Sequence, residues 1–173
     1  GYGVEIDTRR AAELRASWLT AWPEMAAFFR HVSGLEDRRM GGHWVQQLRA
    51  PRVRGRASYT AACNSFFQGL AADGAKAALY RVAREQHTDP GSPLFGTRSV
   101  FFIHDEIILE APEDQAADAA DRLVSAMVEE FGRFVPNVPP KAEAVIMRRW
   151  SKDATPTRDE AGRLIPWGGK VRS

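Results

Sequence analysis

The stretch Ser99-Val100-Phe101-Phe102-Ile103-His104-Asp105-Glu106-Ile107-Ile108-Leu109-Glu110 restricts the possible folds more than any other part of the chain. Val, Ile and Phe favour extended backbone. Here an apolar run is broken by three successive titratable residues and then resumes. The pattern predicts two strands of a hairpin, with His104, Asp105 and Glu106 at or beside the turn. The flanking apolar runs predict strands covered on both faces. A charged, solvated tip accounts for the triplet most simply. The chemical alternative is a platform for a hard divalent cation, because Mg²⁺ prefers oxygen ligands and usually takes one or two protein carboxylates. Neighbouring strand residues point to opposite sides, so Asp105 and Glu106 reach one ion only if the turn redirects them. His104 is then left to contact a substrate.

The 173 residues suffice for one domain with a core, and 44% hydrophobic against 27% charged residues is a globular balance. Net charge is only +2, so any case for nucleic acid rests on local clusters. Cys63 is the single cysteine, which excludes an internal disulfide and suits a reducing, cytoplasmic compartment. No apolar run approaches the roughly 18–20 residues of a membrane span, so no membrane partner is expected. Residues 1–7 read as neither a secretion signal nor a natural start. The chain is expected to be a piece of something longer.

Asp7 and Thr8 are helix caps, and Leu14, Trp18, Trp22, Met25 and Phe29 follow at helical spacing. Pro23 predicts a kink or two abutting helices, the first ending near Trp22. The aromatic stripe is expected to pack on a core. Gly41-Gly42 marks a turn, and residues 43–48 suit a short strand. Arg49, Arg52, Arg54 and Arg56 then crowd a stretch expected to be a loop. Either a solvated surface or a phosphate-contacting loop explains them. Residues 57–84 form the longest helical candidate, with Phe66, Leu70, Ala77 and Tyr80 on one stripe. Asn64 and Gln68, four apart, project their amides from one face. Asp73 lies near the apolar stripe and needs a partner, with Lys76 a candidate. Residues 89–93 are a loop, and 113–131 carry another amphipathic helix. Residues 141–150 alternate like a strand. The tail beyond Ser151 has Ile165-Pro166-Trp167 as its hydrophobic anchor.

Other catalytic constellations are weak. Cys63 has no indicated His partner, and no glycine-rich phosphate loop is present. The four histidines lack zinc-ligand spacing.

Two of these stretches are recognisable together. Residues 61–76 contain Asn64-Ser65-Phe66-Phe67-Gln68-Gly69-Leu70-Ala71-Ala72-Asp73. This resembles the long palm-side helix of family A DNA polymerases, with its pattern Asn-x-x-x-Gln-Gly-x-Ala-Ala-Asp. Ile103-His104-Asp105-Glu106 resembles their motif C, and the order and separation of the two motifs also fit. The flavour resembles the branch found in phages and some bacteria. Residues 22–25 and 141–150 extend the resemblance less specifically.

The resemblance implies an α+β fold: a palm-type antiparallel sheet with long packing helices, from the C-terminal part of a right-hand polymerase. The sheet is expected to join the hairpin to a strand at 141–150, backed by the long helix and the 113–131 helix. Residues 1–97 would be fingers-side and palm-junction helices, and 98–173 the C-terminal palm segment. The implied activity is DNA-directed nucleotidyl transfer to a primer 3′ hydroxyl by a two-metal mechanism using Mg²⁺. Asp105 is the implied metal-binding carboxylate and Glu106 assists it. His104 meets the primer terminus, and Asn64 and Gln68 reach the minor groove, where every base pair presents acceptors. Primer-template DNA and dNTP are the implied partners, with dNTP bound through residues upstream of this region; the oligomeric state is left open.

The motif A aspartate and the nucleotide-binding helix are not found, although Tyr2-Gly3 superficially resembles the end of that helix. Thr60 stands where many members carry arginine, so that arginine's contact is not carried over. The isolated chain is therefore expected not to polymerise. Two alternatives remain: a DNA-binding module that keeps the palm fold without catalysis, and a metal-dependent hydrolase using the same acids.

Overall fold

A computed structural model describes residues 5–169. The Tyr2-Gly3 resemblance lies outside them. The chain forms two compact units, Gly1–Gly69 and Leu70–Ser173, and one long helix runs from the first into the second.

In the first unit, α1 (Thr8–Ala21) begins where the Asp7 side chain accepts a hydrogen bond from the Arg10 N–H at 2.6 Å. The helix ends at Trp22 because Pro23 follows, and α2 (Glu24–Ser33) starts directly after it. This is the predicted break. The predicted packing of the stripe is met only in α2. Phe28 meets Phe66 edge-on at 5.7 Å, and Val32 is fully buried. α1 has no buried residue, and Leu14, Trp18 and Trp22 are all exposed. It is an outer layer whose described ring contact is Trp18 with Phe29. Periodicity marks an apolar face but does not supply its partner.

Three antiparallel strands follow: β1 (Glu36–Asp37), β2 (Gly42–Gln46) and β3 (Val53–Ala57), in the order β1-β2-β3. The arginine-rich stretch is thus partly strand, where a loop was expected. Val45 pairs with Arg54, and Gln46 with Val53. Polar and charged residues pair readily on a strand whose other side faces water. Val32, Val45, Ala57 and Ala62 form the core of this unit.

Helix α3 (Tyr59–Thr88) has 30 residues, about 45 Å long. Its Ser58 hydroxyl accepts from the Ala61 N–H as a cap. The buried positions on α3 include Ala62, Ser65, Gly69, Asp73, Ala78, Val82 and Glu85. The expected stripe is displaced: Phe66 and Leu70 are half-buried and Tyr80 is 72% exposed. Small residues face the packed side, where other side chains come close: a Cβ on Gly69 would meet Gln47 and one on Gly74 would meet the Phe131 ring. Asp73 is buried as expected, whereas Lys76 is exposed.

In the second unit, β4 (Arg98–Ile103) and β5 (Glu106–Glu110) form the predicted hairpin, and α4 (Ala116–Phe134) is the predicted amphipathic helix. Val82, Leu94, Ala119, Leu123 and Ala126 make the core, with Ile107 and Leu109 of β5 packed against it. Two expectations fail here. The hairpin is a two-stranded sheet, and residues 141–150 form no strand. Their burial alternates over 141–144, so the pattern records packing on one side rather than ladder pairing. The short strands β6 (Thr157–Arg158) and β7 (Leu164–Ile165) pair with each other instead. Nor is the hairpin covered on both faces: Val100, Phe101 and Phe102 are exposed, Phe101 by 61%. With one core beneath β5 and no third strand among the described residues, β4 keeps its aromatic side chains at the surface.

The mixture of helix with antiparallel sheet is α+β. No helix among the described residues is long and apolar enough to cross a membrane.

Candidate functional site

The β4–β5 connection is a two-residue turn. Ile103 pairs with Glu106, leaving His104 and Asp105 between the strands. Two-residue hairpins favour turns with positive φ, because their twist matches that of the strands. His104 takes that role at φ +54°, a left-handed conformation in which His is more tolerated than most residues. His104, Asp105 and Glu106 are all exposed. Asp105 lies in the turn rather than in a strand, so strict alternation does not separate it from Glu106. The tip therefore presents an imidazole and two carboxylates to solvent from a rigid base.

That base is fixed by α3. Gln86, 4% exposed, donates from Nε2 to the Thr97 hydroxyl at 3.0 Å and accepts from the Ser99 hydroxyl at 2.9 Å. One helical amide thus holds the chain entering β4. Beside it, Glu85 is 3% exposed and receives a two-point contact from Arg122 of α4, at 2.6 and 2.8 Å. Ser92 donates to Glu85 at 2.7 Å, and Arg81 donates from Nε at 2.5 Å. Arg81 also reaches Glu130, which Arg133 contacts from the other side. The Arg122 hydrogen bonds, followed by those of Ser92 and Arg81, hold the Glu85 carboxyl at about 2 despite its burial. This network ties α3 to α4.

In the first unit, Asn64 and Gln68 are exposed on α3, one turn apart. Gln68 lines a cleft of about 450 Å³ together with Gln47, Arg52, Val53, Arg54, Ser65 and Gly69. The strands reach the helix here through polar groups. Gln47 is buried and donates to the Ser65 carbonyl at 2.7 Å. Arg52 donates to the Gly69 carbonyl at 2.8 Å, and Arg54 to the Ser65 hydroxyl at 3.1 Å. Gly69 is required by this approach: a Cβ there would lie 2.2 Å from Gln47 Nε2.

The turn brings His104, Asp105 and Glu106 together, and helical pitch brings Asn64 and Gln68 together. The two sets belong to different compact units. As oxygen donors, Asp105 and Glu106 suit Mg²⁺, which needs few protein carboxylates. Among the described residues no three His, Cys, Asp or Glu side chains gather into a metal-binding group. Sequence reasoning missed Gln47, Gln86 and the Glu85–Arg122 pair. Only Arg81–Glu85 carried a local signal, the i,i+4 spacing of opposite charges.

The family model described as DNA polymerase family A matches residues 4–152. DNA polymerase I A, chloroplastic/mitochondrial, of Arabidopsis thaliana is 29% identical over 157 residues, 84% of this chain and 14% of that protein. DNA polymerase I B, chloroplastic/mitochondrial, of the same plant is 32% identical over 58% of this chain and 10% of its own length. DNA polymerase I of Chloroflexus aurantiacus is 36% identical over 53% of this chain and 9% of its own. The chain thus spans about a seventh or less of these relatives. No solved structure gives a significant match. With the matched region covering both the amide-bearing helix and the His-Asp-Glu hairpin, the chain belongs to DNA polymerase family A.

Proposed function

We propose that this chain is the C-terminal palm segment of a DNA-directed DNA polymerase and serves template-directed addition of nucleotides to a primer 3′ hydroxyl. The observation that carries this reading is the exposed His104-Asp105-Glu106 tip on a two-residue turn, within a family A chain. Residues 1–97 then act as fingers-side and palm-junction helices, and 98–173 as the palm segment. A reducing, cytoplasmic setting remains part of the reading, from the single cysteine.

Each side chain has a role in it. Asp105 would hold catalytic Mg²⁺, with Glu106 beside it. In a two-metal site such ions stabilise the attacking and leaving oxygens of the displacement. The left-handed turn at His104 holds its ring at the tip, where it meets the primer terminus. Asn64 and Gln68 offer amide donors to minor-groove acceptors. Those acceptors occur on every base pair, so the amides sense pairing geometry without reading sequence. Gln86 and the Glu85–Arg122 network keep the hairpin base from shifting.

Asp105→Ala in the complete polymerase is expected to abolish incorporation in a primer-extension assay while leaving primer-template binding nearly unchanged. An active variant would overturn the metal assignment. The 173-residue chain alone is expected to incorporate no dNTP, since Asp105 and Glu106 supply only part of a two-metal site. Mg²⁺-dependent extension by the isolated chain would refute that.

A further inference from the structure

Arginines of both units form ion pairs, but one small sheet gathers arginines with few acids near them. In the second unit Arg81, Arg122, Arg133, Arg148 and Arg163 are all ion-paired with Glu or Asp. In the first unit the β1–β3 segment, residues 36–57, holds six arginines against Glu36 and Asp37, a local charge of +4 in a chain of net +2. All six arginines are exposed. Among the described residues Arg38, Arg39, Arg49, Arg54 and Arg56 form no ion pair. The charge of these five arginines, gathered on and beside one small sheet, calls for an external anion.

Part of the cluster is also shaped. Arg52 and Arg54 are anchored on α3 at Gly69 and Ser65, and both line the cleft whose wall includes Gln68. Anchoring one donor of a guanidinium restricts its rotamers, so less entropy is lost when the others bind. A bulge between the His43–Ala57 and Val45–Arg54 pairs holds Arg56 at φ +55°. Bulges release a side chain from strict alternation and often re-aim it at functional surfaces.

We propose that the β2–β3 hairpin is a phosphate clamp for duplex DNA, in which Arg52 and Arg54 grip the sugar-phosphate backbone of the strand whose minor-groove edge meets Gln68. Guanidinium forks match phosphate oxygens in pairs. The clamp fixes register and carries no sequence preference, as backbone contacts do. This inference rests on the minor-groove role proposed for Asn64 and Gln68. Arg49 and Arg56 extend the basic surface beyond the cleft.

The test is fluorescence anisotropy of a labelled primer-template duplex titrated with the 173-residue chain between 50 and 200 mM salt. Neutralising two phosphates releases about 0.9 counterions each, so Arg52→Gln/Arg54→Gln should lower the log–log salt slope by about 2. Affinity should fall roughly 10–100-fold, equally for duplexes of different sequence. Arg52→Lys/Arg54→Lys, which keeps the charge, should retain most of the slope. Circular dichroism checks that both variants stay helical.

An unchanged slope in the Gln variant overturns the clamp. So does an equal loss in the Lys variant, since the arginines would then act only by holding α3. If Asn64→Ala/Gln68→Ala weakens binding while the Gln variant does not, the clamp fails and the minor-groove reading survives. Absence of salt-dependent binding by the unmodified chain overturns both.

Discussion

Glu85→Gln is the sharpest test of how the second unit is held together. Glu85 is nearly inaccessible and is contacted by Arg122, Arg81 and Ser92. Its carboxyl titrates at about 2 rather than at 4.5, chiefly because the Arg122 guanidinium hydrogen-bonds its charged form. At about 1.4 kcal/mol per pH unit, that gap contributes roughly 3 kcal/mol of folding stability at neutral pH. Because the folded value is depressed, the contribution is complete above about pH 4.5 and is lost as pH falls toward 2. At pH 3 about 1.4 kcal/mol of it remains. Glu85→Gln preserves the shape and removes the charge, leaving two arginines undercompensated. It should cost about 3 kcal/mol at pH 7, a midpoint loss of roughly 6–12 °C for a chain of this size. Urea unfolding followed by circular dichroism, at pH 7 and pH 3, measures the difference. Glu113 is also held below its usual range by Arg148, but it is common to both proteins and cancels. A stability difference equal at the two pH values would refute the linkage and reduce Glu85 to a packing residue.

Gly69→Ala should destabilise the first unit by about 1–2 kcal/mol, since displacing buried Gln47 outweighs the roughly 1 kcal/mol gained in helix propensity. Adding Gln47→Ala should recover part of that loss, and strict additivity in urea unfolding would contradict the clash. His104→Gly should hold or raise stability by about 0.5–1 kcal/mol by relieving the left-handed turn, yet slow primer extension in the complete polymerase. A slower variant that is also less stable would mean that the ring is needed for the fold. Gln86→Leu should cost about 1–3 kcal/mol by leaving buried Thr97 without its amide donor, with faster hydrogen exchange at the start of β4. Unchanged exchange there would remove Gln86 from the support of the hairpin.

The α3–hairpin pairing shows how much was readable before folding. Helical spacing and the residue types at 64, 68 and 73 suffice to place two amides on one face, and an apolar run broken at 104–106 suffices to predict a two-strand turn. The strain at His104, however, depends on the turn having only two residues, which register alone decides. The Arg49–Arg56 stretch read as a loop because arginine and proline are poor strand signals. It became partly a strand because Val45 and Gln46 offered it a partner edge.

What the sequence by itself determined is local: the Asp7 cap, the break at Pro23, the long helix, the charged hairpin tip and the family to which these motifs belong. Apart from the family, which needs two motifs in order, each depends on residues near one another in the chain, where backbone geometry leaves few choices. Tertiary structure alone decided what those elements meet. Glu85 finds Arg122 across 37 residues, Gln47 reaches Ser65 across 18, and residues 141–150 are partly buried without joining a ladder. Such contacts depend on the separation and angle between packed elements. Periodicity fixes which face is apolar, but carries no information about the distance at which another element arrives.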